Sequence, residues 1–373
     1  MTTPAGPAGP RLLLNAEPFG FGPAAAAAIL AEELAPACAT VDYVGDGHTL
    51  DLQRRPPYRD IHDVTGLSED QRLARLTDLA PRYDLLVTAM DRTMATLARR
   101  AGLRVALYDA LTWFWRPDVP AVAREAELYL AQDFFGVRER VAADPALQRH
   151  TVVVPPLIPP RRDRRPGRHV LVNLGGLHNP LWPPDVAVAY ARLLLAAVRA
   201  AVPADRRLVV VTSRGIAAAL DDPDVGSHPR DAVLDLMSTA AHACMTSGLG
   251  NIYDAAATGV PTLWLPAANA SQPEQARLLD RHGYCDARLD WADIGRPVDY
   301  TASDRAVTEA LVRVVREVTA AGPLRDRLAA GIAALTTGLD ATTGKAQALV
   351  DHFGHGGMRH AATAILRCCA QHP

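Results

Sequence analysis

Ser247-Gly248-Leu249-Gly250-Asn251 closes an apolar run and opens a helical one, and Asp254 lies about one turn inside that helix. Glycines at a strand-to-helix turn let the backbone approach a ligand and leave the first helical N–H groups open to an anion. A carboxylate one turn on can accept hydrogen bonds from hydroxyls beside that anion. Phosphate next to vicinal hydroxyls is the chemistry of a nucleotide. The plain alternative is a βα turn carrying a surface aspartate.

Two further loops fall at equivalent places. "NLGGLHNPL" (173–181) follows one strand-like run and brings Gly175 and Gly176. "TSRG" (212–215) follows another and brings Ser213 and Arg214, a hydroxyl and a charge suited to phosphate.

The first half of the chain offers candidates for acid–base work. Glu17 stands in the loop after the first strand, beside Gly20 and Gly22, and Asp109 ends a later strand. Either carboxylate could take a proton from an incoming nucleophile. Asp91 is better read as a helix N-cap. "YDALTWFWRPDVP" (108–120) concentrates aromatics in a chain where they make up only 5%, so Trp113 and Trp115 could stack a flat acceptor or pack the core. Gln132 and Asp133 end another strand, able to bond polar ring edges. Gly20-x-Gly22-x-x-Ala25 with Asp42 also fits a loose dinucleotide fingerprint, but the loop is longer than a tight Rossmann turn and Pro23 suits any first helical turn.

These residues need a frame. The 373 residues suffice for two domains, and 49% hydrophobic composition indicates a globular chain. Net charge of −2 gives no basis for nucleic acid or an anionic membrane as partner. Five cysteines without metal-type spacing, no signal-like start and no long apolar run lead us to expect a reduced, cytoplasmic protein with no bound metal. Residues 2–10 read as a mobile tail.

Short apolar strands alternate with amphipathic helices throughout, as in parallel βαβ units. The Pro/Arg-rich "PPLIPPRRDRRPG" (155–167) interrupts the pattern and reads as an extended interdomain linker. The expected architecture is α/β, two parallel sheets facing a cleft, with ligands beyond the strand carboxyl ends.

"SGLGNIYDAAATGVPTLWLP" followed by "ANASQPEQARLL" resembles the donor-binding region of GT-B glycosyltransferases, in the pattern of the lipid II-forming N-acetylglucosaminyltransferases. That resemblance implies a GT-B fold of two Rossmann-like domains. It places the ribose on Asp254, where the family usually has Glu, the diphosphate on Gly248, Gly250 and Asn251, and the donor sugar on Gln272 and Gln275. The expected domains are an N-terminal acceptor domain over 1–160, a donor domain over 161–345 and a C-terminal helical segment, 346–373, whose packing back on the first domain, common in this fold, the sequence leaves open.

"NAEPFGFGPA", "ALYDALTWFW" and "LYLAQDFFGV" are similar to stretches of the cytosylglucuronate synthases, including those that use hydroxymethylcytosine. Those enzymes make nucleoside-antibiotic precursors. This resemblance implies inverting transfer of glucuronic acid from UDP-glucuronate to a pyrimidine ring nitrogen, with no cofactor. Glu17 would be the base, with Asp109 second. Gly20, Gly22, Trp113, Trp115, Gln132 and Asp133 would bind the acceptor, and Arg214 or Arg277 the sugar carboxylate. Small molecules are the expected partners, and a homodimer is compatible with the reading. A sugar-nucleotide epimerase of the same fold and a non-catalytic UDP-sugar-binding protein are the alternatives.

Overall fold

The computed structural model describes residues 9–53, 55–339 and 343–371; most of the expected N-terminal tail, residues 1–8, lies outside them. The chain forms two compact units, one of residues 1–157 with 353–373 and one of residues 158–352.

In the first unit, elements alternate as the apolar runs require: β1 (Arg11–Ala16), α1 (Gly22–Leu34), β2 (Thr40–Gly45), β3 (Ile61–Asp63), α2 (Glu69–Leu79), β4 (Leu85–Ala89) and α3 (Arg92–Arg100). Then come β5 (Val105–Asp109), α4 (Ala121–Glu125), β6 (Leu128–Gln132), α5 (Val137–Ala143), α6 (Pro145–Gln148) and β7 (Thr151–Val154). The strands pair in the order β3-β2-β1-β4-β5-β6-β7, all parallel. A parallel sheet is covered on both faces, so its strands are apolar throughout rather than alternating. β4 and β5 are buried at every residue.

The second unit repeats the scheme with β8 (His169–Asn173), α7 (Pro184–Ala201), β9 (Arg207–Val211), α8 (Arg214–Leu220), β10 (Val225–Gly226), α9 (Arg230–Thr239) and β11 (His242–Thr246). It continues through α10 (Leu249–Thr258), β12 (Thr262–Leu265), α11 (Gln272–Arg281), β13 (Ala287–Arg288), α12 (Asp304–Ala320) and α13 (Gly322–Thr336). The strand order is β10-β9-β8-β11-β12-β13, again parallel. α14 (Leu349–Phe353) leads to α15 (Gly357–Ala370), whose Ala361, Ala362 and Ile365 join the core of the first unit. Arg104 fastens α15 by donating to the Cys368 carbonyl at 3.0 Å.

Three edge strands, β3, β10 and β13, carry too few residues to show a hydrophobic period, and the sequence pattern misses them. The Pro/Arg-rich stretch is extended, but its second part is not a loose linker. Arg162, Arg165 and Gly167 donate backbone N–H groups to Ala257, Ser238 and Thr239 of the second unit, and Arg162 pairs with Asp231 and Asp235. No helix among the described residues is long and apolar enough to cross a membrane.

Candidate functional site

Each sheet has a point where its chain connections depart in opposite directions, between β1 and β4 in the first unit and between β8 and β11 in the second. Loops leaving the carboxyl ends of such strands open a crevice for ligand. Gly22, Arg214, Gly250, Asn251, Asp254, Gln272, Gln275 and Arg277 lie in the helices that follow strands, and the other candidate residues lie at strand carboxyl ends or in the loops after them.

In the second unit, Gly248 caps α10 without a side-chain hydrogen bond, so the first helical N–H groups lack intrahelical partners. A Cβ at Gly248 or Gly250 would meet no atom within 4 Å, and Gly248 has φ −68°. Neither packing nor backbone conformation requires glycine at these positions. What the glycines preserve is open space over a positive helix end. Gly250→Ala is therefore expected to stabilise the fold in denaturant unfolding, by up to about 1 kcal/mol of helix propensity.

Asn251 has a different task from the one expected of it. Its Oδ1 accepts from Asn173 Nδ2 at 3.1 Å, and its Nδ2 donates to the Thr246 carbonyl at 2.9 Å. Asn173 also accepts from the N–H of Gly175 at 2.9 Å, while Thr212 donates to the Gly175 carbonyl at 3.1 Å. The Asn251 side chain thus joins the ends of β8 and β11, Thr212 joins the β9 loop to Gly175, and the Asn251 amide is not left for a diphosphate. Gly175 has φ +65°, a conformation that favours glycine at this turn, and Gly176 beside it is buried.

Asp254 is 8% exposed and accepts a 2.8 Å hydrogen bond from Arg230, at the start of α9. A buried carboxylate needs a charge partner, and Arg230 supplies it. Sequence reasoning missed Arg230 because the pairing spans 24 residues. Gln272 is consumed locally: its Oε1 accepts from the Ala268 N–H at 2.7 Å, closing the loop before α11. Gln275, 2% exposed, keeps an Oε1 without a hydrogen-bond partner among the described residues. An orphaned buried acceptor is costly and marks a place for a hydroxyl donor. Ser213 is the half-buried N-cap of α8 with no side-chain cap bond, and Arg214 beside it is exposed. Arg277 is paired to Glu274 at 2.8 Å.

In the first unit, Glu17 follows β1 directly, held in register by its N–H to the Ala89 carbonyl at 2.9 Å. Its carboxylate has no hydrogen bond or ion pair among the described residues. Burial, and the nearby charges of Asp91 and Asp109, push its pKa up to about 7, with Arg92 opposing. Gly20 and Gly22 leave open space in the same loop, and Gly20 accepts from His48 at 2.5 Å. Asp91 caps α3 through the Met94 N–H at 2.9 Å, and burial holds its pKa near 6.

Asp109 cannot act as the second base. It is 2% exposed, and its oxygens accept from Leu111 N–H at 2.6 Å, Trp115 Nε1 at 2.7 Å and Tyr129 OH at 2.8 Å. It is the anchor of the aromatic loop. Asp109→Ala would remove the acceptor of three hydrogen bonds that hold this loop, and a loss of about 2–4 kcal/mol in denaturant unfolding is expected.

Trp113 packs on Phe114 and Phe134 with its Nε1 on the Ala110 carbonyl, so it is a wall of the aromatic cluster. Trp115 carries the Arg92 guanidinium 4.8 Å from its ring centroid. Gln132 and Asp133 are buried and spoken for: Gln132 accepts from Tyr108 OH and the Leu157 N–H, and Asp133 pairs with Arg138. Both side chains have partners within the first unit or at its edge. Asp42 accepts from Asp60 N–H and Tyr83 OH inside β2, which leaves no place for a dinucleotide ribose.

No protein-family model matches the chain, and no curated protein matches it by sequence. Solved structures do resemble it in fold. The chain is 14% identical to Arabidopsis thaliana UGT89C1, complexed with UDP-L-rhamnose, covering 97% of this chain and 99% of that one at a TM-score of 0.53. It is 15% identical to a UDP-glucosyltransferase from Polygonum tinctorium capable of glucosylating indoxyl, covering 95% and 98% at 0.52. It is 14% identical to Os79 from O. sativa, in complex with UDP and deoxynivalenol-3-glucoside, covering 92% and 99% at 0.51. The fold is GT-B, two Rossmann-like units of parallel sheet.

Proposed function

We propose that the protein is an inverting, UDP-sugar-dependent glycosyltransferase that moves glucuronic acid from UDP-glucuronate to the ring nitrogen of cytosine or hydroxymethylcytosine. The observation that carries this reading is Glu17: an unpaired carboxyl at the β1 switch point with its pKa raised to about 7, suited to taking a proton near neutrality. UDP and UDP-L-rhamnose in the solved relatives of the same fold support a UDP-sugar donor.

In this reading the second unit holds the donor. The α10 N-terminus and the space over Gly248 and Gly250 receive the diphosphate, with Gly175, Gly176, Ser213 and Arg214 lining the neighbouring loops. Asp254, paired with Arg230, accepts from the ribose hydroxyls, and Gln275 accepts from a sugar hydroxyl. Gly20 and Gly22 give the acceptor access to Glu17 in the first unit.

Glu17 takes the ring N–H proton as that nitrogen bonds to the anomeric carbon, while the bond from the anomeric carbon to the UDP oxygen breaks. UDP leaves with its charge held at the helix end, and the proton passes from Glu17 to water. Attack opposite the leaving group turns the α-linked donor into a β-linked product. Proton NMR of the isolated conjugate tests this: a trans-diaxial anomeric coupling is expected, and an α-linked product would exclude direct displacement.

A further inference from the structure

Arg92 opens α3, directly after Asp91, and is exposed. Among the described residues its guanidinium forms no hydrogen bond and no ion pair. Its Cζ lies over the Trp115 ring, 4.8 Å from the centroid. A cation–π contact pairs none of the guanidinium N–H donors with an oxygen, so donors remain for one.

The platform beneath it is fixed. Trp115 Nε1 is bonded to Asp109, Asp109 also accepts from Leu111 and Tyr129, and Tyr129 OH lies 2.8 Å from Thr112 Oγ1. Phe114 closes edge-on against Trp115 with centroids 5.9 Å apart. The guanidinium sits within electrostatic reach of both Glu17 and Asp109. Asp91 is the other charged group that faces Glu17, and Asp91 is itself faced by Asp46 and Arg72. Arg92 is therefore a lone cation beside the base, held in place by an indole and bound to neither carboxylate.

A carboxylate accepts a proton donor and a guanidinium donates to an oxygen. Side by side they complement an edge on which N–H and C=O are neighbours. We propose that Arg92 binds the acceptor's carbonyl oxygen next to the N–H that Glu17 deprotonates, so that the acceptors are cyclic amides or ureas. The assignment rests on the transferase reading and adds the acceptor class to it. The same contact favours the reaction, because the nitrogen's negative charge spreads onto the oxygen that Arg92 holds.

Arg92→Ala and Arg92→Lys are to be compared with the wild type in steady-state kinetics with UDP-glucuronate and cytosine, across pH, with UDP affinity and melting temperature measured alongside. For Arg92→Ala, KM for cytosine is expected to rise about 10- to 100-fold, the span of a hydrogen bond to a charged group. Its acid limb of kcat/KM is expected to move to higher pH, since the cation opposing protonation of Glu17 is gone. Arg92→Lys is expected to restore the limb but not KM, because a point charge replaces a planar fork. A merely structural arginine would lower the melting temperature and leave the limb in place, which would overturn the assignment. Unchanged KM and limb in Arg92→Ala, with an active wild type, would also overturn it and leave the transferase standing. A wild type that binds UDP yet turns over no lactam acceptor would overturn both.

Discussion

Glu17→Gln is expected to lower kcat about 10²- to 10⁴-fold, the usual contribution of a positioned general base, while leaving UDP affinity unchanged. The same substitution is expected to make the protein more stable at pH 8. Burial raises the Glu17 pKa from its usual 4.5 to about 7, so the folded chain keeps a proton that the unfolded chain releases across that interval. Stability associated with this group is full below about pH 4.5 and falls as pH rises through 7. A neutral amide removes that loss, and a melting temperature about 2 °C higher is expected at pH 8, with little difference at pH 4. Wild-type kcat/KM should correspondingly rise with pH through about 7. Loss of both activity and stability would instead assign Glu17 a structural role.

Asp254→Ala carries the second large effect. It is expected to weaken UDP and UDP-glucuronate binding about 10- to 100-fold by removing the acceptor of charged hydrogen bonds to the ribose. Arg230 loses its partner, but at 32% side-chain exposure it can turn to water, so the cost in stability should stay within about 1 kcal/mol. Calorimetric titration separates the two effects. Unaltered UDP affinity would remove Asp254 from the donor site.

What the sequence revealed depended on the range of the interaction. Helix α7 declares itself through nine buried residues at helical spacing, and the α10 turn through its glycines, because these are local patterns. The capping box at the start of α2, Ser68 with Gln71, is local too. The polar residues at the strand ends were a harder case. Asp109, Gln132, Asn251 and Gln272 have the types a binding site needs, yet each is satisfied within the protein. Their partners come from Trp115 and Tyr129, from Tyr108, from Asn173, and from Ala268. A sequence places a polar side chain at a strand end without saying whether a neighbouring loop will reach it first. Arg92 on Trp115 and Arg230 on Asp254 show the converse: residues unremarkable in type become important through partners more than 20 positions away.

These satisfied side chains have a common effect. They fix the loops around Glu17 and around Gly248, while among the described residues the Glu17 carboxyl, the Arg92 guanidinium and Gln275 Oε1 are among the groups that keep no hydrogen bond. Rigid support beneath a few unsatisfied groups is how a site is held ready for its reaction.

Glycosyl transfer to a pyrimidine is tested by one incubation: the purified protein with UDP-glucuronate, with and without cytosine, following UDP release and conjugate mass together. UDP and a cytosine–glucuronate conjugate are expected in equal amounts, and neither when cytosine is omitted. UDP or an isomerised donor formed equally well without cytosine, and no conjugate with it, would contradict the account and identify donor hydrolysis or epimerisation instead.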